Sequence, residues 1–372
     1  GGRQHGGSRP VMLDRRLSFH IDWLLIGAVL ILCAVGLAMI YSATGGPTSF
    51  YWTQVYAIGL GLVAMIVCLS IDYRSLADKS HLIYLAMVLT LVSVLFLGDV
   101  RGGSRRWIDL GPFNLQPSEF AKAVVALMLA KMLGESRRRA LTNQDLLFAG
   151  VLTGVPLLLI ARQPDLGTAV TLLPILVTVA VAAGMPVRYL AALALVAVLA
   201  APVAYRFGLE DYQRERIATF LDPDQDPRGA GYQQIQARIT VGSGGVWGKG
   251  YREGTQGQLR FLPVAHNDFI FSVLAEEQGF AGVVVALGLY LFVILRSIEA
   301  ARLAKDRQGA YLVLGVLASF TFQVVYNITM SAGLVPVKGL TLPLMSYGGS
   351  SMIATLAGFG LILNVRMRRF TN

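Results

Sequence analysis

Ten apolar runs, each about long enough to cross the roughly 30 Å hydrocarbon core of a bilayer, recur along this chain. They lie near residues 20–42, 53–70, 82–98, 118–133, 146–161, 166–184, 187–206, 269–295, 310–331 and 349–366. No packed soluble domain can bury so much apolar chain, and 55% hydrophobic residues with a mean hydropathy of +0.59 agree. Lipid supplies no partners for backbone N–H and C=O groups, so such runs must be helices. The expected fold class is therefore all-α: a polytopic membrane protein of about ten transmembrane helices with one large loop, about 207–268.

An even number of spans puts both ends on one side, and the Lys/Arg distribution selects that side. With the ends inside, eighteen basic residues flank the inner termini, against five in the short outer loops. The expected topology is N-in and C-in, with the 207–268 loop outside. This also accounts for the net charge of +10, so no nucleic-acid partner is expected. Cys33 and Cys68 fall within spans as small hydrophobes. Residues 1–11 are Gly-rich and read as a tag or linker, leaving 12–372 as one transmembrane domain. No internal repeat is recognisable.

Charged residues inside spans are costly and point into the bundle. After Pro117-Ser118, a good helix start, Glu119 and Lys122 are i,i+3 neighbours. They form either a structural ion pair or a contact to substrate. Arg105, Arg106 and Trp107 lie at the outer interface, where they either anchor the chain or bind phosphate oxygens. Asp165 follows a proline and suits a helix cap.

Within the long loop, Asp222 to Gln233 fails as a calcium loop, since Pro227 and Gln233 stand where Gly and Glu are required. Gly242 to Gly250 fails as a phosphate loop, because Gly250 replaces the metal-binding hydroxyl. Tyr232 to Val241 is amphipathic and suits the outer leaflet. Arg214, Arg216, Lys249 and Arg252 offer positive charge to anionic headgroups. The loop ends in His266-Asn267-Asp268, which places a carboxylate at the start of a span. Asp268 is either a helix cap or a chemical group. Glu276 lies two turns further on roughly the same face, with Glu277 rotated away. Asn327, Lys338, Ser346, Tyr347 and Ser350 add polar groups near the last two spans.

These blocks resemble the SEDS family (shape, elongation, division and sporulation). The resemblance rests on Arg105 to Ile108 with Gln116 to Glu119, Gln163 to Thr168, Asp211 to Arg216, Gly242 to Gly250, His266 to Phe271 with Glu276-Glu277, and Pro343 to Ser350. It covers essentially everything after Met12. It implies a peptidoglycan glycosyltransferase of the bacterial cytoplasmic membrane, with its active site on the outer face. Its implied substrates are lipid II and the growing undecaprenyl-diphosphate-linked glycan. The implied partners are a class B penicillin-binding protein and the elongation machinery.

By the same resemblance the catalytic residue falls on Asp268. The residues expected to meet substrate or its diphosphate are Arg105, Arg106, Trp107, Glu119, Lys122, Asp165, Arg214, Arg216, Lys249, Arg252, His266, Glu276 and Ser346. No cofactor is evident beyond a divalent cation, Mg or Mn. The family's usual Thr and Glu are replaced by Asn267 and Val264. A flippase for lipid-linked precursors is the alternative reading.

Overall fold

A computed structural model describes residues 21–101, 104–109, 114–136, 141–208, 211–222, 230–258, 261–262 and 264–370. Helices stand at all ten apolar runs. The first three spans are α1 (Trp23–Ala43), α2 (Ser49–Ser70) and α4 (Ser80–Leu97), with the short α3 (Tyr73–Asp78) between the latter two. α5 (Pro117–Gly134), α6 (Asn143–Ala161), α7 (Leu166–Val170), α8 (Leu172–Ala182) and α9 (Val187–Val203) follow. After the long loop come α13 (Ile270–Arg302), α14 (Arg307–Ser331) and α15 (Gly349–Met367).

Seven of these helices are long and apolar enough to cross a membrane by themselves: α1, α2, α4, α6, α13, α14 and α15. The other three runs depart from a plain span for visible reasons. α5 carries Glu119, Lys122 and Lys131, and much of it, both intramembrane charges included, is buried by protein. The run at 166–184 breaks at Thr171 into α7 and α8. α9 is shorter and gives way to a π-helical turn, Ala204–Gly208.

Local chemistry sets the helix starts. Asp22 accepts the Leu25 N–H at α1, and Thr142 with Asp145 forms a capping box at α6. Pro117 occupies the first turn of α5, where its missing N–H costs nothing. In the core, α15 runs along α2 and is buried over most of its length, α14 packs on α5 and α8, and α13 packs on α14 and α1.

Two features depart from the expectation. Between α4 and α5 the chain forms a small antiparallel sheet of β1 (Asp99–Arg101), β2 (Ser104–Asp109) and β3 (Asn114–Leu115), in the order β1-β2-β3. The long loop is also substantially helical, with α10 (Asp211–Leu221), α11 (Ala230–Ser243) and α12 (Thr255–Gln258). The amphipathic Tyr232–Val241 stretch forms most of α11. It packs on α13 and α14 through buried Gln234, Ala237 and Thr240. The centre of the rejected calcium loop, 223–229, lies outside the described residues, as do residues 1–11.

Candidate active site

Asp268 sits in the turn that leads into α13. The backbone reverses at Val264 (φ 51°), whose carbonyl accepts the N–H groups of Asn267 at 3.0 Å and Asp268 at 3.3 Å. The N-cap of α13 is Phe269, so Asp268 stands one residue outside the cap position that sequence reasoning considered for it. Phe269 and Ile270 are buried and anchor the turn.

Fully buried Asn327 on α14 donates to the Asp268 carbonyl at 2.8 Å and to the Leu340 carbonyl at 2.7 Å. One amide thus ties the Asp268 backbone to the loop joining α14 and α15. That loop approaches the carboxylate itself, since a methyl group built on Gly339 would stand 3.4 Å from Oδ2.

Beside this turn, the His266 ring lies 4.6 Å from the Phe50 ring and 5.6 Å from that of Tyr347. The Tyr347 N–H donates to the His266 carbonyl at 3.0 Å. Burial holds the His266 pKa below its ordinary 6.5, keeping the ring neutral at neutral pH. Burial likewise raises the Tyr347 phenol. Gln54 on α2 fixes the same loop by donating to the Ser346 carbonyl and accepting the Gly348 N–H, each at 3.1 Å. Ser346 is buried and its hydroxyl accepts the Leu342 N–H at 2.8 Å, so it closes the turn.

Further along α13, Glu276 is fully buried and faces the long loop. Its Oε1 meets Lys249 Nζ at 2.6 Å, the Gln256 N–H at 3.0 Å and the Thr255 hydroxyl at 3.2 Å. Glu277 accepts from the Ser42 hydroxyl of α1 and borders the same loop, since a methyl group built on Gly254 would stand 3.2 Å from its Cγ. The Arg252 guanidinium lies 5.4 Å from the Tyr41 ring. Arg214 lies on α10, half-buried, while the Arg216 side chain is outside the described residues.

The remaining candidates form a second group. Arg106 donates to the Gln163 carbonyl at 3.1 Å and to the Pro164 carbonyl, and faces Asp165 at 3.9 Å. Asp165 caps α7 through the Thr168 N–H at 3.2 Å, as its position after proline suggested. Its other oxygen accepts from the Gln116 amide at 2.9 Å and the Ser118 hydroxyl at 3.4 Å. The two motif blocks beginning at Gln116 and Gln163 therefore interlock. Arg105 is exposed, and Trp107 is half-buried with the Arg106 guanidinium 6.0 Å from its ring.

Glu119 and Lys122 pair at 2.8 Å, each 6% exposed, and Lys122 also donates to Gln323 Oε1 at 3.0 Å. With Ser319 and Thr355 these three line a cavity of about 30 Å³, room for a water molecule. Gln323 was not singled out in the sequence. Its signal was an amide inside an apolar run, one helical turn before Asn327. Through α14 the buried ion pair and the Asp268 turn are thus joined. Among the described residues, no group of three or more His, Cys, Asp or Glu side chains gathers to hold a metal.

The family of cell cycle proteins FtsW, RodA and SpoVE matches residues 16–370. Peptidoglycan glycosyltransferase MrdB of Escherichia coli K12 is 38% identical over 351 residues, 94% of each chain. A probable peptidoglycan glycosyltransferase FtsW of Geobacter metallireducens is 37% identical over 93% of this chain and 94% of its own. Among solved structures, a chain of a peptidoglycan synthase complex that coordinates polymerization with crosslinking superposes with a TM-score of 0.82. It is 37% identical, covering 95% of this chain and 99% of its own. The rod shape determining protein RodA of Thermus thermophilus gives a TM-score of 0.72 at 33% identity, over 95% and 98% of the two chains.

Proposed function

The chain belongs to the SEDS family of FtsW, RodA and SpoVE, and from that membership we propose that it polymerises lipid II with Asp268 as the base. It is a peptidoglycan glycosyltransferase and a multi-pass membrane protein. In the proposed reaction the sugar 4-hydroxyl of incoming lipid II attacks the anomeric carbon of the growing glycan. The hydroxyl proton passes to the Asp268 carboxylate as the new C–O bond forms. The bond to the lipid diphosphate breaks with its electron pair, inverting an α linkage to β-1,4. A positioned base contributes about 10²–10⁴-fold to such a step, in the manner of the base carboxylate of inverting glycosidases.

The observation that carries the base assignment is the restraint on the Asp268 backbone, which a buried amide holds, while its carboxylate approaches Gly339, where no side chain fills the space beside it. A positioned carboxylate at a helix entrance is what proton abstraction needs. We assign the departing diphosphate to the cations of the outer loops, Arg105, Arg106, Arg214, Arg216 and Arg252 among them, whose charge offsets the negative charge that develops on it. Among the described residues no cluster of three or more His, Cys, Asp or Glu side chains builds a resident metal site. We propose that a magnesium or manganese ion is carried by the diphosphate.

The basic-residue distribution supports cytoplasmic termini and a site on the outer face of the bacterial cytoplasmic membrane. Likeness to the synthase complex supports a crosslinking partner, assigned to a class B penicillin-binding protein within the elongation machinery. The test is incubation of purified protein and partner with labelled lipid II, followed by muramidase digestion. Long muramidase-sensitive strands are expected. Unpolymerised lipid II that instead crosses a proteoliposome membrane would contradict the assignment and favour a flippase.

A further inference from the structure

α13 is not continuous. Gly279 has φ 63° and ψ −167°, a backbone state open essentially to glycine alone. In an unbroken helix the Phe280 and Ala281 N–H groups would donate to the Glu276 and Glu277 carbonyls. Here the segment 245–250 takes over both positions. Phe280 donates to the Gly245 carbonyl at 2.9 Å and Ala281 to that of Val246 at 3.0 Å. Lys249 and Gly250 in turn donate to the Glu276 and Glu277 carbonyls, each at 3.0 Å. The loop is spliced into the helix, so the break leaves none of these four backbone pairs unmade.

The two strands of chain cross so closely that side chains are excluded. A methyl group on Gly248 would stand 2.2 Å from the Glu277 carbonyl oxygen, and one on Gly279 2.2 Å from the Gly248 nitrogen. Directly above the crossing, the buried Glu276 carboxylate gathers Lys249, Thr255 and the Gln256 N–H. The first turns of α13, which begin right after Asp268, are therefore fastened to the 245–256 strap rather than carried by the rest of α13.

Resting on the assignment of Asp268 as base, we infer that Glu276 is a positioning residue. Paired with Lys249, it fastens the strap to the first half of α13 and so fixes where Asp268 points. It does not touch substrate. Misplacement of a base by about 1 Å costs about 10²-fold. Breaking the fastening should therefore lower turnover while leaving substrate binding alone.

The experiment compares kcat and KM for lipid II polymerisation by the protein with its partner. The variants are Glu276→Ala, Lys249→Ala, the double variant, and Glu276→Gln, which keeps polar contacts should the alanine fold poorly. We expect kcat to fall about 10–100-fold with KM within about twofold. The double variant should be no worse than either single one, since both remove the same fastening. Hydrogen exchange read on the same proteins should speed up across 245–256, whatever the activity.

Four results would overturn the inference. These are a kcat within about twofold of wild type, a raised KM at unchanged kcat, multiplicative losses in the double variant, or unchanged exchange in the strap. Wild type and Asp268→Ala run alongside. A silent wild type or an active Asp268→Ala would remove the function or the base assignment, while exchange still judges the fastening.

Discussion

Replacing Gly279 by alanine tests the splice at its most constrained atom. If the break is kept, the new residue sits in a glycine-only region, costing about 1–3 kcal/mol. Its Cβ would also stand 2.2 Å from the Gly248 nitrogen and 2.7 Å from the Val246 carbonyl oxygen, both backbone atoms that cannot rotate away. If instead the helix straightens, it regains two hydrogen bonds and the strap loses four. At about 0.5–1.5 kcal/mol per bond, the net loss is about 1–3 kcal/mol before Glu276 loses the Lys249 ammonium. Either route gives about 3 kcal/mol in total. The control is Gly288→Ala on the same helix, where nothing lies within 4 Å of the added methyl. There, alanine should be neutral or stabilising by up to about 1 kcal/mol. Thermal unfolding in one detergent reads both, with a drop of several degrees expected for Gly279→Ala only. If the two variants melted together, the strap would not be holding the helix.

Three further outcomes are expected. Lys122→Met strands the buried Glu119 carboxylate and should cost about 3–5 kcal/mol in unfolding free energy, much of it recovered in Glu119→Gln/Lys122→Met. At the opposite end, Asp306 is partly buried, which opposes its charge. The Gly309 N–H, Tyr73 and Arg74 outweigh this and hold its carboxyl below the ordinary 3.8. A depressed carboxyl stabilises the fold above its unfolded pKa, and that stability is lost as pH falls through the folded value. The melting temperature should therefore fall below about pH 4, less steeply in Asp306→Asn, as a pH series of melting curves will show. Below its ordinary 6.5 the neutral His266 resists protonation, so a nuclear magnetic resonance titration should find its midpoint shifted to lower pH.

Much of the fold is legible because a bilayer leaves few choices: apolar runs of span length become helices, and all ten do. The Glu119–Lys122 pair is legible for the same kind of reason, since i,i+3 spacing on a helix dictates contact. Its third member, Gln323, comes from 201 residues away, and no local pattern announces it. The sheet at 99–115 escapes notice because its strands are short, arginine-rich and without a two-residue apolar alternation. The strap is the most instructive miss. Gly244, Gly245, Gly248 and Gly250 look like a flexible linker, and the polar Glu276-Glu277-Gln278-Gly279 run reads as charged residues within a continuous helix rather than as a break in one. Gly244, Gly248 and Gly279 are there because two backbones touch, a property of the pair that neither segment displays alone. At the site, the position of Asp268 at a span entrance was readable. That Phe269 rather than Asp268 would take the cap depended on where the first helical turn closed.

The central claim is that Asp268 removes the proton in glycan polymerisation, and its most direct test is the single-turnover rate of lipid II polymerisation by Asp268→Asn. Asparagine keeps the size of the side chain and cannot act as the base. The account predicts a loss of about 10²–10⁴-fold with lipid II binding and melting temperature close to wild type. A rate within a few-fold of wild type, in a properly folded variant, would contradict it.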